Sequence, residues 1–111
     1  MIKEKDFRVW DIQNRKMFFP KVEEIGKYIV DKTNYIVMEY TMVDDVNGKK
    51  IFEYDIVRPV NFKDIGNVVR FVSGAFYRLK VLNGKKYWNT LGNCKIKLVG
   101  NILENKEELL K

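Results

Sequence analysis

Residues 68–99 read VVRFVSGAFYRLKVLNGKKYWNTLGNCKIKLV, and this stretch decides the fold class. Turn pairs at Ser73-Gly74 and Asn83-Gly84, and a third turn at residues 91–93, separate runs rich in β-branched and aromatic residues. We predict strands over four of these runs: residues 68–72, 75–82, 86–88 and 94–99. Turns at such short, regular spacing indicate a small, partly open barrel or a curved antiparallel sheet.

Upstream of this stretch the chain is also strand-rich. Alternation and β-branched content predict strands over residues 7–11, 17–19, 35–43 and 51–57. Residues 21–32 are ambiguous, because their apolar residues have helical spacing while Gly26 and several β-branched residues disfavour a helix. Asn47-Gly48 predicts a tight turn with Gly48 at positive φ. Residues 105–110 carry a capping-box pattern and predict a short C-terminal helix. The fold class is therefore mostly β, in a single domain over residues 1–111.

Composition excludes several broad classes. The chain has 111 residues, 46% of them hydrophobic and 32% charged, which fits one folded domain and not a disordered segment. Cys94 is the only cysteine, so an intramolecular disulfide is excluded and a reducing compartment is expected. The charged N-terminus does not resemble a signal peptide, and no apolar run has membrane-spanning length. We expect a cytoplasmic protein that does not use a membrane.

The chain contains no histidine, which excludes Ser-His-Asp and Cys-His catalysis and imidazole metal sites. No phosphate-binding glycine pattern occurs. A calcium loop aligned on Asn47-Gly48 fails, because Val43 and Tyr54 would occupy its first and last ligand positions. Cys94 is interpreted as a small packed residue. The sequence therefore predicts no enzyme, no catalytic residue, no metal site and no cofactor.

Charge is concentrated in one half of the sequence. Residues 58–100 hold nine Lys or Arg against one acid, Asp64, for a net charge of +8. Such a half is what binding to a phosphate backbone requires, and exposed aromatic residues would add base stacking. The candidate nucleic-acid-binding residues are Arg58, Lys63, Arg70, Phe76, Arg78, Lys80, Lys85, Lys86, Lys95 and Lys97.

Alternation along residues 75–82 predicts how this half is arranged. Phe76, Arg78 and Lys80 share one face of their strand, with Tyr77 on the other face, toward the core. Arg70, on the preceding strand, is expected beside them. The same charge also fits a merely soluble surface, an acidic protein partner or a homo-oligomer, so the partner stays open.

Three segments together carry a family resemblance. Residues 7–11 (FRVWD) with Lys16-Met17, residues 38–57 (MEYTMVDDVNGKKIFEYDIV) and residues 99–105 (VGNILEN) are similar to motifs of the YopX family of phage and prophage proteins, in the family's order. Met42 and Tyr54 stand where that family usually carries glycine. A glycine at such points normally permits a left-handed backbone.

The resemblance implies a phage- or prophage-associated accessory protein and brings no catalytic or binding residue with it. Residues 55–57, 66–69 and 74–76 also look like the first strands of an SH3-like small barrel, an analogy of fold alone. We expect a non-enzymatic protein that acts by binding. The alternatives are a sequence-nonspecific nucleic-acid-binding module that uses residues 58–97 and a self-assembling structural protein.

Overall fold

The computed structural model describes residues 6–60, 66–91 and 95–104. This part of the chain is mostly β, as predicted, with all registered strand pairs antiparallel. Its strands are β1 (Phe7–Asp11), β2 (Lys16–Phe18), β3 (Tyr35–Asp44), β4 (Lys50–Phe52), β5 (Asp55–Pro59), β6 (Asn67–Val72), β7 (Ala75–Leu82), β8 (Lys85–Thr90) and β9 (Ile96–Asn101). A 3₁₀ turn (Val22–Glu24) leads directly into the short helix α1 (Ile25–Val30).

The chain forms two compact units, residues 1–40 and 41–111. In the first unit β1 lies between β2 and β3, with Trp10 opposite Met17 on one side and Ile36 on the other. Val9, Trp10, Ile25 and Met38 are buried. The ring of Tyr28, on α1, makes edge contacts with Phe18 and Tyr35 at centroid distances of 5.3 and 4.8 Å. Helical apolar spacing therefore prevails over Gly26 in the ambiguous stretch.

The second unit contains a five-stranded antiparallel sheet in the order β8-β7-β6-β5-β9. Its hydrophobic core consists of Ile51, Val57, Val69, Leu91 and Ile96, with Val43, Phe76 and Leu98 packed against them. Both predicted two-residue turns are present. Ser73 and Gly74 have φ of 50° and 86°, and Asn83 and Gly84 have φ of 52° and 78°. Two consecutive positive φ values match the twist of hairpin strands.

The predicted strand over residues 51–57 is wrong in one respect, because a turn at Glu53-Tyr54 divides it into β4 and β5. Tyr54 has φ of 70°, and the carboxylate of Asp55 accepts a hydrogen bond from the Phe52 amide at 2.7 Å. A tyrosine in the sequence does not predict a left-handed backbone conformation, because non-glycine residues rarely adopt it. Met42, 77% exposed, also has a positive φ, of 68°. Both residues keep the conformation for which the resembling family uses glycine.

Gly48 has φ of 78°, as predicted, and its amide donates to the carbonyl of Asp45 at 3.0 Å. A Cβ at this position would meet no atom within 4 Å, so the cost of a side chain there is a backbone cost. We expect Gly48→Val to lower the free energy of unfolding by roughly 1 kcal/mol or more. The control is Gly26→Ala, whose added Cβ also meets open space but in a helix. Equal melting temperatures for Gly48→Val and the wild type would contradict this expectation.

Several predictions fall on residues outside the described part of the chain. They are the C-terminal helix at residues 105–110, the packing of Cys94 and the turn at residues 91–93, of which only Leu91 is described. The strand predicted over residues 94–99 does not include Lys95, which is described and lies just before β9. Where that strand is described, it runs from Ile96 to Asn101. Its last residue closes a turn, because the Asn101 side-chain oxygen accepts from the amides of Leu103 and Glu104 at 3.0 and 2.9 Å.

Candidate nucleic-acid interface

The five-stranded sheet of the second unit has two faces, which its register defines. Residues directly opposite each other on antiparallel strands point to the same face, and successive residues alternate. Val57 lies opposite Leu98, and Val69 lies opposite Arg78, so these four share what we call the core face. Trp88 lies opposite Leu79, which lies opposite Val68, on what we call the Trp88 face.

The predicted binding residues are divided between these two faces and do not form one set. The core face carries Phe76, Arg78, Lys80 and Lys85, and the Trp88 face carries Arg58, Arg70, Lys86 and Lys97. Arg70 is paired with Tyr77, so its expected position beside Arg78 and Lys80 is wrong. Side chains alternate within β7 as predicted, but the relative position of residues on the two strands of a hairpin depends on the strand register.

The assignment of the core side of β7 is also corrected. Phe76 is half-buried and packs against the core cluster, in tilted contact with Phe71 at 5.0 Å between centroids. Arg78 is buried, and its Nε donates to the carbonyl of Thr90 at 3.2 Å. Tyr77 lies on the opposite face. Phe76 and Arg78 therefore contribute to the interior of the unit, and they are poor candidates for contact with a ligand.

Aromatic side chains are available on the Trp88 face instead. Trp88 is 46% exposed and meets the ring of half-buried Tyr77 edge to face, with centroids 6.4 Å apart and an interplanar angle of 84°. Trp88 is one of the aromatic candidates in the basic half of the sequence, with Phe76, Tyr77 and Tyr87, but it is not among the predicted binding residues. Because side chains alternate between the two faces of a strand, Trp88 lies on the same face as Lys86, two residues earlier. The sequence alone therefore could have placed Trp88 beside a cation.

The cations of the Trp88 face differ in how they are held. The guanidinium carbon of Arg70 lies 5.0 Å from the centroid of the Tyr54 ring, a cation–π contact that fixes its position. Arg58 lies directly opposite Lys97 across β5 and β9. Among the described residues, the buried Nε atoms of Arg58 and Arg70 have no hydrogen-bond partner. Lys86 and Lys97 are exposed.

Acidic residues are missing from this part of the sequence. Residues 65–103, which include β6, β7, β8 and β9, contain seven Lys or Arg and no Asp or Glu. The seven are Arg70, Arg78, Lys80, Lys85, Lys86, Lys95 and Lys97. A segment with this excess of cations raises the local positive potential, which attracts polyanions.

The remaining predicted residues are Lys95 and Lys63. Lys95 is exposed and lies just before β9, where its carbonyl accepts from the amide of Val60 at 2.9 Å. It lines an open pocket of about 560 Å³ together with residues that include Asp44 and Asp45. Lys63 lies outside the described residues. Within residues 6–60, 66–91 and 95–104, no three His, Cys, Asp or Glu side chains are grouped as metal ligands.

Asp45 holds the strand that presents Lys97. Asp45 is 6% exposed, and its carboxylate accepts from the amides of Asn47 and Lys49 at 2.8 and 2.9 Å and from the amide of Leu98 at 3.0 Å. Burial alone would raise the pKa of Asp45, but these three N–H donors and the Lys49 charge bring that pKa below its ordinary value. One ionised carboxylate thus joins the Asn47-Gly48 turn to β9.

One further structural finding concerns membranes. No helix in the described ranges has the length and apolar character needed to cross a bilayer.

Comparison with known proteins gives a family and a fold. The chain resembles the crystal structure of protein EF1440 from Enterococcus faecalis with a TM-score of 0.51 and 20% sequence identity, over 92% of this chain and 95% of that chain. At this identity the likeness concerns the fold alone. No protein with a curated description matches the sequence.

The family finding rests on a larger share of the sequence than the motifs quoted above. The family model described as YopX protein matches residues 19–111, which include the segments 38–57 and 99–105. The first motif, at residues 7–17, precedes the matched range. Because the match covers most of the chain, this protein belongs to the YopX family.

Proposed function

We propose that this YopX-family protein acts by binding, without catalysis, and that its ligand is single-stranded nucleic acid held on the Trp88 face without sequence preference. The observation that carries the proposal is the combination on one sheet face of four cations with the Tyr77–Trp88 aromatic pair. The four cations are Arg58, Arg70, Lys86 and Lys97.

The two kinds of side chain do different work in this proposal. Cations on several strands neutralise phosphates and release condensed counterions, which supplies affinity that depends strongly on salt. A half-exposed indole offers a flat apolar surface on which a base can stack, and every base has such a surface. Stacking requires an unpaired base, so a single strand suits this face better than a duplex. Neither interaction distinguishes one base sequence from another.

We also propose a setting for this activity, which the family's association with phages and prophages supports. An accessory protein of a phage or prophage, working in the cytoplasm of a bacterial host, meets single-stranded DNA and RNA. The likeness to EF1440 supports the fold of the binding surface and nothing about its ligand.

A filter-binding assay across salt concentrations tests the proposal. Labelled 20-nucleotide dT and rU oligonucleotides and a 20-base-pair duplex are titrated at about 50 mM and at about 200 mM salt, the range in which phosphate contacts lose most of their affinity. We expect weak binding at the lower salt, similar for dT and rU and weaker for the duplex, and its loss at the higher salt. Absence of binding to all three at about 50 mM salt would contradict the proposal and favour an acidic protein partner.

A further inference from the structure

Arg58 and Lys97 form an unusual cross-strand pair. They are direct partners in the β5–β9 register, and side chains in such positions leave the sheet on the same face with Cβ atoms about 5 Å apart. Like charges placed directly opposite in this way destabilise a sheet. Lys97 is exposed and Arg58 half-buried, so only part of the repulsion is screened by water.

The Arg58 guanidinium has a second unexplained feature. Its Nε is buried, and the described residues provide no hydrogen-bond acceptor for it. A buried donor without a partner costs free energy, and native structures rarely leave one without a reason. A negatively charged oxygen ligand between the two side chains would offset the repulsion, and a shift of the Arg58 side chain would bring its buried Nε donor to that ligand.

We propose that Arg58 and Lys97 form an anion site for a tetrahedral phosphate group. A guanidinium presents paired N–H donors that match phosphate oxygens, and the ammonium of Lys97 adds a second, more flexible point charge. The carboxylate of Asp45 anchors β9 at the neighbouring Leu98 amide, at 3.0 Å, and the β5–β9 register places Lys97 opposite Arg58. The inference deepens the proposed function, on which it rests, by naming the residues that take a backbone phosphate.

Thermal melts in inorganic phosphate test the site without nucleic acid. The wild type, Arg58→Gln and Lys97→Gln are melted in phosphate and in chloride of equal ionic strength, with Lys85→Gln as the matched control. Lys85 is an exposed lysine of β8 on the core face. We expect phosphate to raise the melting temperature of the wild type and Lys85→Gln by a few degrees more than that of the two site variants. In chloride, Lys97→Gln should melt no lower than the wild type, because it removes the repulsion.

The same proteins are then titrated with the dT 20-mer at several salt concentrations. If the site takes a backbone phosphate, each site variant loses about 0.7 from the slope of log affinity against log salt, and Lys85→Gln keeps the wild-type slope. Specific phosphate stabilisation without dT binding would support an anion site for free phosphate and contradict the proposed function. An unchanged slope, with no specific phosphate effect on the wild type, would overturn the site while the proposed function stands.

Discussion

Replacing Asp45 with alanine is expected to lower the free energy of unfolding by about 3–5 kcal/mol. The carboxylate accepts from the amides of Asn47, Lys49 and Leu98, and alanine leaves all three donors without this partner. Hydrogen bonds to a charged group contribute roughly 1.5–3 kcal/mol each. The sum is reduced because the amides of the exposed turn can rehydrate. Urea denaturation of the variant and the wild type measures the difference.

The control for this prediction is Asp44→Ala, which removes a neighbouring, exposed carboxylate. We expect that control to lose less than about 1 kcal/mol, since exposed substitutions usually have small effects. A loss for Asp45→Ala no larger than that of the control would show that the turn and β9 do not depend on the buried carboxylate.

The pH dependence of stability gives an independent check on Asp45. Its folded-state pKa lies below the ordinary value of 3.8, so the folded protein binds the proton less well than the unfolded chain. The stabilisation is therefore complete well above pH 3.8 and is lost as the pH falls below it. We expect the stability difference between the wild type and Asp45→Asn to shrink between pH 7 and about pH 3. A difference that stays constant over this range would contradict the assignment.

The sequence predicted most strands of the second unit well, because residue pairs that favour tight turns mark where these strands end. Ser73-Gly74 and Asn83-Gly84 both have positive φ values, and β7 has the predicted bounds of residues 75–82. The turn at Glu53-Tyr54 was missed, since a tyrosine at φ of 70° has no local signature. Only the resemblance to a family with glycine at that position indicated a special backbone there.

The candidate site was harder to predict than the strands. Period-2 alternation assigned Phe76, Arg78 and Lys80 correctly to one face of β7, but it does not say which face meets the core. That choice depends on burial contributed by Val57, Val69 and Ile96 from other strands. The position of Arg70 depends on the hairpin register, and the pairing of Arg58 with Lys97 joins strands far apart in sequence.

Reversing two charges on the Trp88 face is expected to weaken dT binding about 100-fold at about 50 mM salt. The variant is Lys86→Glu with Lys97→Glu, which removes two exposed cations and introduces two repulsive carboxylates. Both positions are solvent-exposed, so folding should be retained. Fluorescence anisotropy of the labelled 20-mer measures the affinity, and circular dichroism checks the fold.

The control is Lys80→Glu with Lys85→Glu, which changes the net charge by the same amount on the core face. Lys80 is half-buried, so circular dichroism must first show that this variant is folded. We expect a loss of less than about 10-fold for this control, because long-range attraction falls while the phosphate contacts remain. Equal losses in both double variants would mean that net charge alone drives binding. A larger loss of affinity in the control would indicate that the interface lies on the core face.

Quenching of Trp88 fluorescence by a dT oligonucleotide tests the central claim most directly. The chain has two tryptophans, of which Trp10 is 6% exposed and Trp88 is 46% exposed. Stacking of a base on Trp88 predicts a saturable loss of emission at about 50 mM salt that is reversed when salt is raised, and that is absent in Trp88→Phe. Binding detected by anisotropy with unchanged emission would contradict a ligand on the Trp88 face.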